Sequence, residues 1–356
     1  MSRWCVPAPA LRKGGAPASP LYNDCMEEVS LEELLDSVRA YPGFERKKAI
    51  GHWARRFVPR GRMGARVYGP GDDAGAVELP GGGYLLLAGE GLWAPLLDDP
   101  EFAGFCSVTV NVNDIYAMGG LPLGLVSIIF SGGLSEEQRE GFLDGLEQAL
   151  EHYGVPLLGG HTSPEGETGA VAVCVAGTAD RLLRGDGARP GHDIVAALDL
   201  EGRAHPDLHA WDTVSNAEHA RTMTRLKALT EIAAGGLASA CRDISNPGIL
   251  GTLAMLLEAS GSGALVDLDM LPVPPSVEID WWLKAYPSFG FLFTVAPEKL
   301  GELAAILDEH GVEHVTLGQV REGSAIEVQW KGQTATFVDW REAPVTGLFT
   351  PRAMEK

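Results

Sequence analysis

Residues 95–120 read PLLDDPEFAGFCSVTVNVNDIYAMGG, and this stretch organises the chain around it. Its apolar side chains recur every three or four residues, which is the spacing of one helix face. The closing glycines Gly119 and Gly120 supply the backbone freedom that ends a helix. We therefore expect a helix over Glu101–Met118, with the polar run Asn111–Asp114 in its later turns, just before a glycine turn.

The segments on either side alternate between short apolar strands and amphipathic helices. The predicted strands are Tyr84–Ala88, Leu123–Phe130, Ala170–Gly177, Ile194–Leu198, Ala264–Asp267 and Phe289–Val295. A first helix is predicted to begin after Ser30, a capping serine. The other predicted helices are Glu45–Phe57, Ser135–Tyr153, Met223–Ala233, Ile249–Ser260 and Pro297–His310. This mixture predicts the α/β (α+β) fold class.

The length of 356 residues is enough for two domains, each with its own core. Residues 180–192 combine Arg, Gly and Pro and form the expected domain boundary. We expect an N-terminal arm with helices over residues 1–60. An α/β domain then covers residues 61–180, and a second α/β domain covers residues 181–356.

The formal net charge of −20 sets limits on partners. A negative surface repels nucleic-acid backbones, so no nucleic-acid partner is expected. It would also repel ATP, unless a divalent cation lies between the triphosphate and the protein. No apolar run is long enough to span a bilayer, and the Pro-, Gly- and Ala-rich residues 1–27 lack the apolar core of a signal peptide. We expect a cytoplasmic protein with no membrane partner.

The five cysteines are scattered, odd in number and never paired as C-x-x-C. This pattern argues against a disulfide framework or a structural zinc site and fits a reducing compartment. Cys106, Cys174 and Cys241 are expected to be small core residues.

Four segments set short polar residues among glycines or at the ends of apolar elements. They are Gly71–Ala74 (GDDA), Asn111–Asp114 (NVND), Gly159–Thr162 (GGHT) and Asp243–Asn246 (DISN). Asp and Asn oxygens suit Mg²⁺, which takes one or two carboxylates together with phosphate and water oxygens. Glycine lets backbone amides approach phosphates closely.

Each segment taken alone has an ordinary alternative. GDDA is typical of a turn, and the side chains of Asn111 and Asp114 are equally expected on a solvated helix face. GGHT fits a junction between a strand and a loop, and DISN before Pro247 fits a turn that starts a helix. The composition of the segments alone therefore indicates a metal and phosphate site without establishing one.

The order of the segments adds a second argument. GDDAGAV, then the block at 95–120, then PLLGGHT at 156–162, then DISNPGILG at 243–251 resemble a superfamily of ATP-using enzymes. Its members are aminoimidazole-ribonucleotide synthetase, thiamine-monophosphate kinase, selenophosphate synthetase and the hydrogenase-maturation dehydratase. The resemblance covers about residues 64–330 and is greatest to AIR synthase-related proteins. It implies a two-domain AIR synthetase-like fold in a homodimer, with N-terminal sheets pairing and ATP near that interface.

The resemblance also implies roles for individual residues. The expected Mg²⁺ ligands are Asp73, Asp114 and Asp243, and Asp73 and Asp114 are also expected to be catalytic. The expected nucleotide-binding residues are Gly71, Asp72, Glu90, Asn111, Gly159, Gly160, His161, Thr162 and Ser245. Lys13, in the N-terminal arm, is a candidate mobile contact to the transferred phosphate. For the dimer, the expected edge strands are Tyr84–Ala88 and Leu123–Phe130.

The chain departs from its relatives at three acidic positions. His161 and Asn246 stand where thiamine-monophosphate kinase has Asp, and Glu90 stands where many relatives have Asp. These changes leave the number of bound metals open. The main hypothesis is a Mg²⁺-dependent ATP-using enzyme, by phosphoryl transfer or ATP-driven synthesis, acting on an unknown small molecule. The alternatives are a nucleotide-binding regulatory homologue without activity and a purely structural dimer.

Overall fold

Two large β-sheets form the framework of the computed structural model, which describes residues 29–54, 56–57, 66–92 and 96–348. The described residues from Leu31 onwards belong to one compact unit. The main helices are α1 (Leu31–Arg39), α2 (Pro42–Glu45), α3 (Ile50–Ala54), α4 (Pro100–Ala117), α5 (Glu136–Tyr153), α6 (His219–Gly235), α7 (Gly248–Ser260), α8 (Ile279–Lys284) and α9 (Leu300–Glu309). None of the helices in these ranges is both long and apolar enough to cross a bilayer.

The first sheet has six strands in the spatial order β1-β2-β3-β6-β4-β5. They are β1 (Val67–Tyr68), β2 (Gly75–Glu78), β3 (Tyr84–Leu92), β4 (Leu121–Phe130), β5 (Leu157–Ser163) and β6 (Ala170–Ala179). Alternate residues such as Leu86, Val173 and Val175 point inward and pack with α4 and α5 into one core.

The expected edge strands are wrong in position. The segments Tyr84–Ala88 and Leu123–Phe130 fall in β3 and β4, and both lie inside the sheet. The strand β6 returns late in the chain and pairs between them, so order along the chain does not give order in space. Among the described strands, the edges of this sheet are β1 and β5.

The second sheet has seven strands in the order β10-β13-β7-β14-β11-β15-β16. They are β7 (Asp193–Leu198), β10 (Ala238–Asp243), β11 (Gly263–Asp267), β13 (Gly290–Val295), β14 (Glu313–Arg321), β15 (Ala325–Trp330) and β16 (Gln333–Asp339). Its two faces enter different cores, as β7 shows: Val195 and Ala197 face the core shared with α4, whereas Ile194 and Ala196 face α1 and α7. Three shorter strands, β8 (Arg203–Ala204), β9 (Ala210–Asp212) and β12 (Tyr286–Pro287), form a small third sheet.

The helices near the N-terminus pack on the second half of the chain. Leu34 and Leu35 of α1 are buried in the core of the second sheet, and the Nε of Arg39 donates to the carbonyl of Phe337 at 2.9 Å. The predicted single helix Glu45–Phe57 is wrong in extent. The chain there forms α2, a 3₁₀ turn over Arg46–Ala49, and α3, which ends at Ala54.

The helix predicted from the block at 95–120 is confirmed and runs over Pro100–Ala117. Its start is fixed by Asp99, whose Oδ1 accepts from the Phe102 amide at 3.2 Å. The cysteine prediction holds only in part. Cys241 is buried and Cys106 is half-buried, whereas Cys174 is exposed on the outer face of the first sheet.

Candidate nucleotide and metal site

A cavity of about 760 Å³ opens where the two sheets meet, and its volume falls in the usual range for small-ligand sites. The polar segments that line it come from different elements. GDDA precedes β2, and Glu90 lies in β3. Asp114 lies in the last turn of α4, and Asp243 is the last residue of β10. The helical segment at residues 41–50 closes another side. The fold thus brings together three of the four polar segments recognised in the sequence.

Asp114 is a buried carboxylate whose side chain accepts no hydrogen bond from the described residues, although the charge of Lys47 opposes part of the effect of burial. The residue is 8 % exposed. Burial raises the pKa of Asp114 well above its usual range, and the nearby carboxylates of Asp243, Asp73 and Glu90 raise it further. A cation placed beside Asp114 would relieve both effects.

Asp243 lies across the cavity at the end of β10 and is also 8 % exposed. The backbone that follows is fixed, since the Ile244 amide donates to the carbonyl of Gly290 at 2.8 Å. Burial raises the pKa of Asp243 to about 6, with Glu90 adding to the shift and Lys47 opposing it. At neutral pH this carboxyl is ionised at little cost and is available to a cation.

Asp72 and Asp73 are buried too, but the protein itself binds them. The Nη1 of Arg242 donates to Asp73 Oδ1 at 2.8 Å, and the Asp243 amide donates to Asp73 Oδ2 at 3.3 Å. The Gly185 amide donates to Asp72 at 2.9 Å. We call the set Arg242, Asp72 and Asp73 the arginine latch, because it joins the GDDA segment to β10 of the second sheet.

The donor set fits a cation that also takes oxygens from its ligand. Among the described residues, no three His, Cys, Asp or Glu side chains converge closely enough to form a complete protein ligand shell. Mg²⁺ does not require one, since it takes one or two carboxylates plus phosphate and water oxygens. Asp114 and Asp243 can serve as those carboxylates. Asp73 forms an ion pair with Arg242 at 2.8 Å, and its role as a metal ligand stays a prediction.

Basic residues of the cavity were missed by the sequence analysis. Arg242 is buried between carboxylates, and Lys47 enters the cavity from the 3₁₀ turn Arg46–Ala49. A signal for Lys47 was present, because three consecutive basic residues in an acidic chain are unusual. The proposed contact Lys13 lies outside the described residues.

Three aromatic side chains also line the cavity, Tyr41, His209 and Tyr286, and we call them the aromatic wall. The rings of Tyr41 and His209 are 4.9 Å apart, and His209 stacks on Trp281 at 5.6 Å. Burial lowers the pKa of His209, with the Lys284 charge acting in the same direction, so the ring is neutral at pH 7. This wall can accept a flat or apolar group.

The sequence prediction named twelve nucleotide and metal residues, and the structure divides them into two groups. Those that line the cavity are Gly71, Asp72, Asp73, Glu90, Asp114, Asp243 and Ser245. Those outside its lining are Asn111, Gly159, Gly160, His161 and Thr162. Asn111 is fully buried, and its Nδ2 donates to the carbonyl of Ser107, one turn earlier in α4, at 2.8 Å. Asn113 lines the cavity instead. The GGHT segment lies exposed on β5 at the edge of the sheet.

Solved structures place this architecture in a known class. PurL of Thermotoga maritima complexed with ADP has a TM-score of 0.67 at 20 % identity, over 82 % of this chain and 50 % of that one. ThiL of Aquifex aeolicus, complexed with AMPPCP and TMP, has a TM-score of 0.59 at 22 % identity, over 74 % of this chain and 88 % of that one. The chain has the two-domain α/β fold of AIR synthase-like proteins.

Sequence comparison narrows the class to a family. The model described as "AIR synthase related protein, N-terminal domain" matches residues 71–179, and its C-terminal counterpart matches residues 192–331. An uncharacterised protein of Synechocystis sp. is 34 % identical over 280 residues, covering 78 % of this chain and 86 % of that protein. The chain therefore belongs to the AIR synthase-related family.

A relative with a named activity is more distant. Thiamine-monophosphate kinase of Salmonella typhimurium is 28 % identical over 297 residues, covering 74 % of this chain and 90 % of that protein. At the level of the family, the named relatives are ATP-using enzymes of the kinase and synthase type.

Proposed function

We propose that this protein binds ATP together with Mg²⁺ in the cavity and uses it to phosphorylate or otherwise activate a small molecule. One observation carries the proposal: Asp114 and Asp243, from the two halves of the chain, meet in one cavity as buried carboxylates without hydrogen-bond donors from other described side chains. Buried charge without a partner is costly and is retained where a ligand supplies the partner.

The roles follow from the contacts of each residue. Asp114 and Asp243 would hold Mg²⁺, which neutralises charge on the β- and γ-phosphates. The arginine latch would keep the GDDA segment against β10, so that both carboxylates stay in position for the cation. The aromatic wall would bind the second substrate, which orients it for reaction without contributing chemistry.

The exposed GGHT segment motivates a homodimer as part of the proposal. In the resembled enzymes this segment contacts nucleotide, yet here it lies on the edge strand β5, outside the cavity of its own chain. A second copy pairing through this sheet would bring its GGHT segment toward a nucleotide site that one chain leaves incomplete. The outer face of the sheet fits such a partner, because it exposes apolar side chains at Leu87, Leu121, Leu123, Val126, Phe130 and Leu158.

A pair of matched variants tests the dimer. Leu158 is 65 % exposed on β5, whereas Leu143 is 45 % exposed on α5, away from this face. We expect Leu158→Asp to give a single-chain mass in light scattering and to lose ATP turnover, while Leu143→Asp keeps the mass of two chains. A wild-type protein with the mass of one chain at micromolar concentration would contradict the dimer.

Calorimetric titration with ATP tests the central proposal. We expect binding in the presence of Mg²⁺ and none with EDTA, because bare triphosphate meets the acidic side of the cavity. Release of ADP or AMP from ATP, followed by phosphorus NMR while candidate metabolites are added, then identifies the reaction class. Equal affinity with and without Mg²⁺ would contradict the metal-bridged model.

One observation favours the second candidate, an inactive nucleotide-binding homologue. Arg242 occupies Asp73, the residue that the resemblance makes both a metal ligand and catalytic. A protein of this kind would bind Mg–ATP but release no product from it under any substrate. The same NMR experiment therefore separates the two functions.

A further inference from the structure

Lys47 is a cation of the cavity that the proposed roles leave unused. It lies on the 3₁₀ turn Arg46–Ala49, is half-buried, and contributes to the lining beside the acidic residues. Among the described residues, no carboxylate oxygen lies within the 4.0 Å of an ion pair from its amine. The amine thus enters an acidic cavity without being bound by any single carboxylate.

The neighbouring basic residues are committed elsewhere. The amine of Lys48 forms an exposed ion pair with Glu45 at 2.6 Å, and the Nε of Arg46 donates to the carbonyl of Pro42 at 3.1 Å. Arg242, which lines the cavity together with Arg46 and Lys47, is held by the arginine latch. Lys47 is the cationic side chain of this lining whose described surroundings leave it available to a ligand.

The electrostatic surroundings of Lys47 agree with its position. Burial lowers the pKa of Lys47, while the carboxylates of Glu90 and Asp243 act in the opposite direction. The amine therefore lies in the field of the same carboxylates that would hold Mg²⁺. A lysine in such a place is compact, keeps three hydrogen-bond donors, and is suited to phosphate oxygens.

We propose that Lys47 is a phosphate-binding residue of this site, which balances the charge of Asp114 and Asp243 in the absence of metal and binds the γ-phosphate of ATP once Mg²⁺ occupies them. This inference rests on the proposed Mg–ATP function. The physical reason is competition: a divalent cation at the two carboxylates repels the amine from them, and the nearest compensating charge is then the terminal phosphate.

Opposite effects on the metal and on the nucleotide distinguish this role from a structural one. We expect Lys47→Met to bind Mn²⁺ alone several-fold more tightly, since a competing positive charge is gone. The same variant should bind ATP in excess Mg²⁺ about tenfold more weakly, the value of one charge-assisted hydrogen bond. ADP, which lacks the γ-phosphate, should lose much less. Lys47→Arg should retain most of the ATP affinity, and Lys48→Met is the matched control, expected to match wild type in all three titrations.

Calorimetric titrations with Mn²⁺, ADP and ATP measure the three affinities, and thermal melting checks that each variant folds. Unchanged ATP affinity in Lys47→Met, with wild type binding normally, would overturn the role of Lys47 while leaving the proposed function intact. Equal weakening of Mn²⁺, ADP and ATP would also overturn it, because that pattern is structural. A wild-type protein that binds no Mg–ATP would overturn both proposals. If Lys47→Met does not fold, Lys47→Gln is read by the same criteria.

Discussion

Two pairs of aspartates meet in the cavity and differ in what they touch. Asp72 and Asp73 accept hydrogen bonds from Arg242 and from backbone amides. Asp114 and Asp243 are as deeply buried but have only other carboxylates and the more distant charges of Lys47 and Arg242 nearby. The first pair is satisfied by the protein, and the second requires something from solution.

The difference shows that burial of an acidic residue does not by itself mark a metal ligand. A buried carboxylate with a paired arginine is part of the architecture, and removing its partner leaves an uncompensated charge. A buried carboxylate without donors costs stability until a cation binds. The contacts of the aspartates, and not their exposure, distinguish the pair bound by Arg242 from the pair proposed to bind a cation. Substitutions that affect the first pair should therefore change stability, and those in the second pair should change activity.

The largest expected effect breaks the arginine latch. Arg242→Met removes the cation that contacts Asp73, whose side chain is 6 % exposed, and leaves backbone amides as the remaining described donors to Asp72 and Asp73. We expect a loss of about 3 to 5 kcal/mol in the free energy of unfolding, measured by urea denaturation. Lys227→Met breaks an exposed helical pair with Glu231 and should leave the urea midpoint close to that of the wild type. Similar midpoints for both variants would refute the latch.

The second prediction concerns the unsatisfied pair. Asp114→Asn should lower ATP turnover at least about 100-fold, because even outer partners of metal ligands are worth 10- to 100-fold. Its free energy of unfolding should stay the same or rise, since a buried charge is removed. The control Asp144→Asn lies on the exposed side of α5 and should change neither. Wild-type turnover in Asp114→Asn would rule out this aspartate as a metal ligand.

A third, smaller effect tests the latch from its glycine. A Cβ at Gly185 would lie 2.7 Å from Arg242 Nε and 2.7 Å from Asp72 Oδ1, so one of the two must move. Gly185→Ala should destabilise the protein by about 1 to 2 kcal/mol, as for overpacking of a tight site. Gly301→Ala serves as the control in the same denaturation series, because a Cβ at Gly301 would have no neighbouring atom within 4 Å. Identical stabilities would show that the latch region is loosely packed.

The smallest expected effect is a pH dependence of the free energy of unfolding, caused by Asp243. The folded-state pKa of Asp243 is raised to about 6 by burial, so the folded protein holds this proton more tightly than the unfolded chain. Without metal, stability is therefore greater at low pH and should fall by about 1 kcal/mol as pH rises from 5 to 7. Mg²⁺ binds the ionised form and should flatten this slope. A free energy of unfolding that rises between pH 5 and pH 7 would contradict the raised pKa of Asp243.

Periodicity was enough to find the helix α4 and most strands, because each has an apolar face of the right spacing. It failed where position depends on the rest of the fold. The helix expected over Glu45–Phe57 breaks into shorter turns as it packs on the second half of the chain. The strand order also escaped prediction, since β6 pairs between β3 and β4 through contacts distant in sequence.

The candidate site could be predicted for the residues that carry acidic side chains in recognisable segments. Asp73, Asp114 and Asp243 line one cavity as expected from their resemblance to known motifs. The basic run Arg46–Lys48 marks Lys47 as unusual, but no local pattern tells whether Lys47 or Arg242 faces solvent or a cavity. Asn111 stays a prediction as a nucleotide-binding residue, since it lies outside the cavity lining, where Asn113 stands two positions further along α4.

The helical segment at residues 41–50 has a practical consequence for shortening the protein. The family models match residues 71–179 and 192–331, so a chain trimmed to those limits would keep all four aspartates. It would nevertheless lose Tyr41 and Lys47 on one side of the cavity and Thr346 on another. Alignments restricted to the two matched domains compare the part that carries the four aspartates and leave out side chains that line other sides of the cavity.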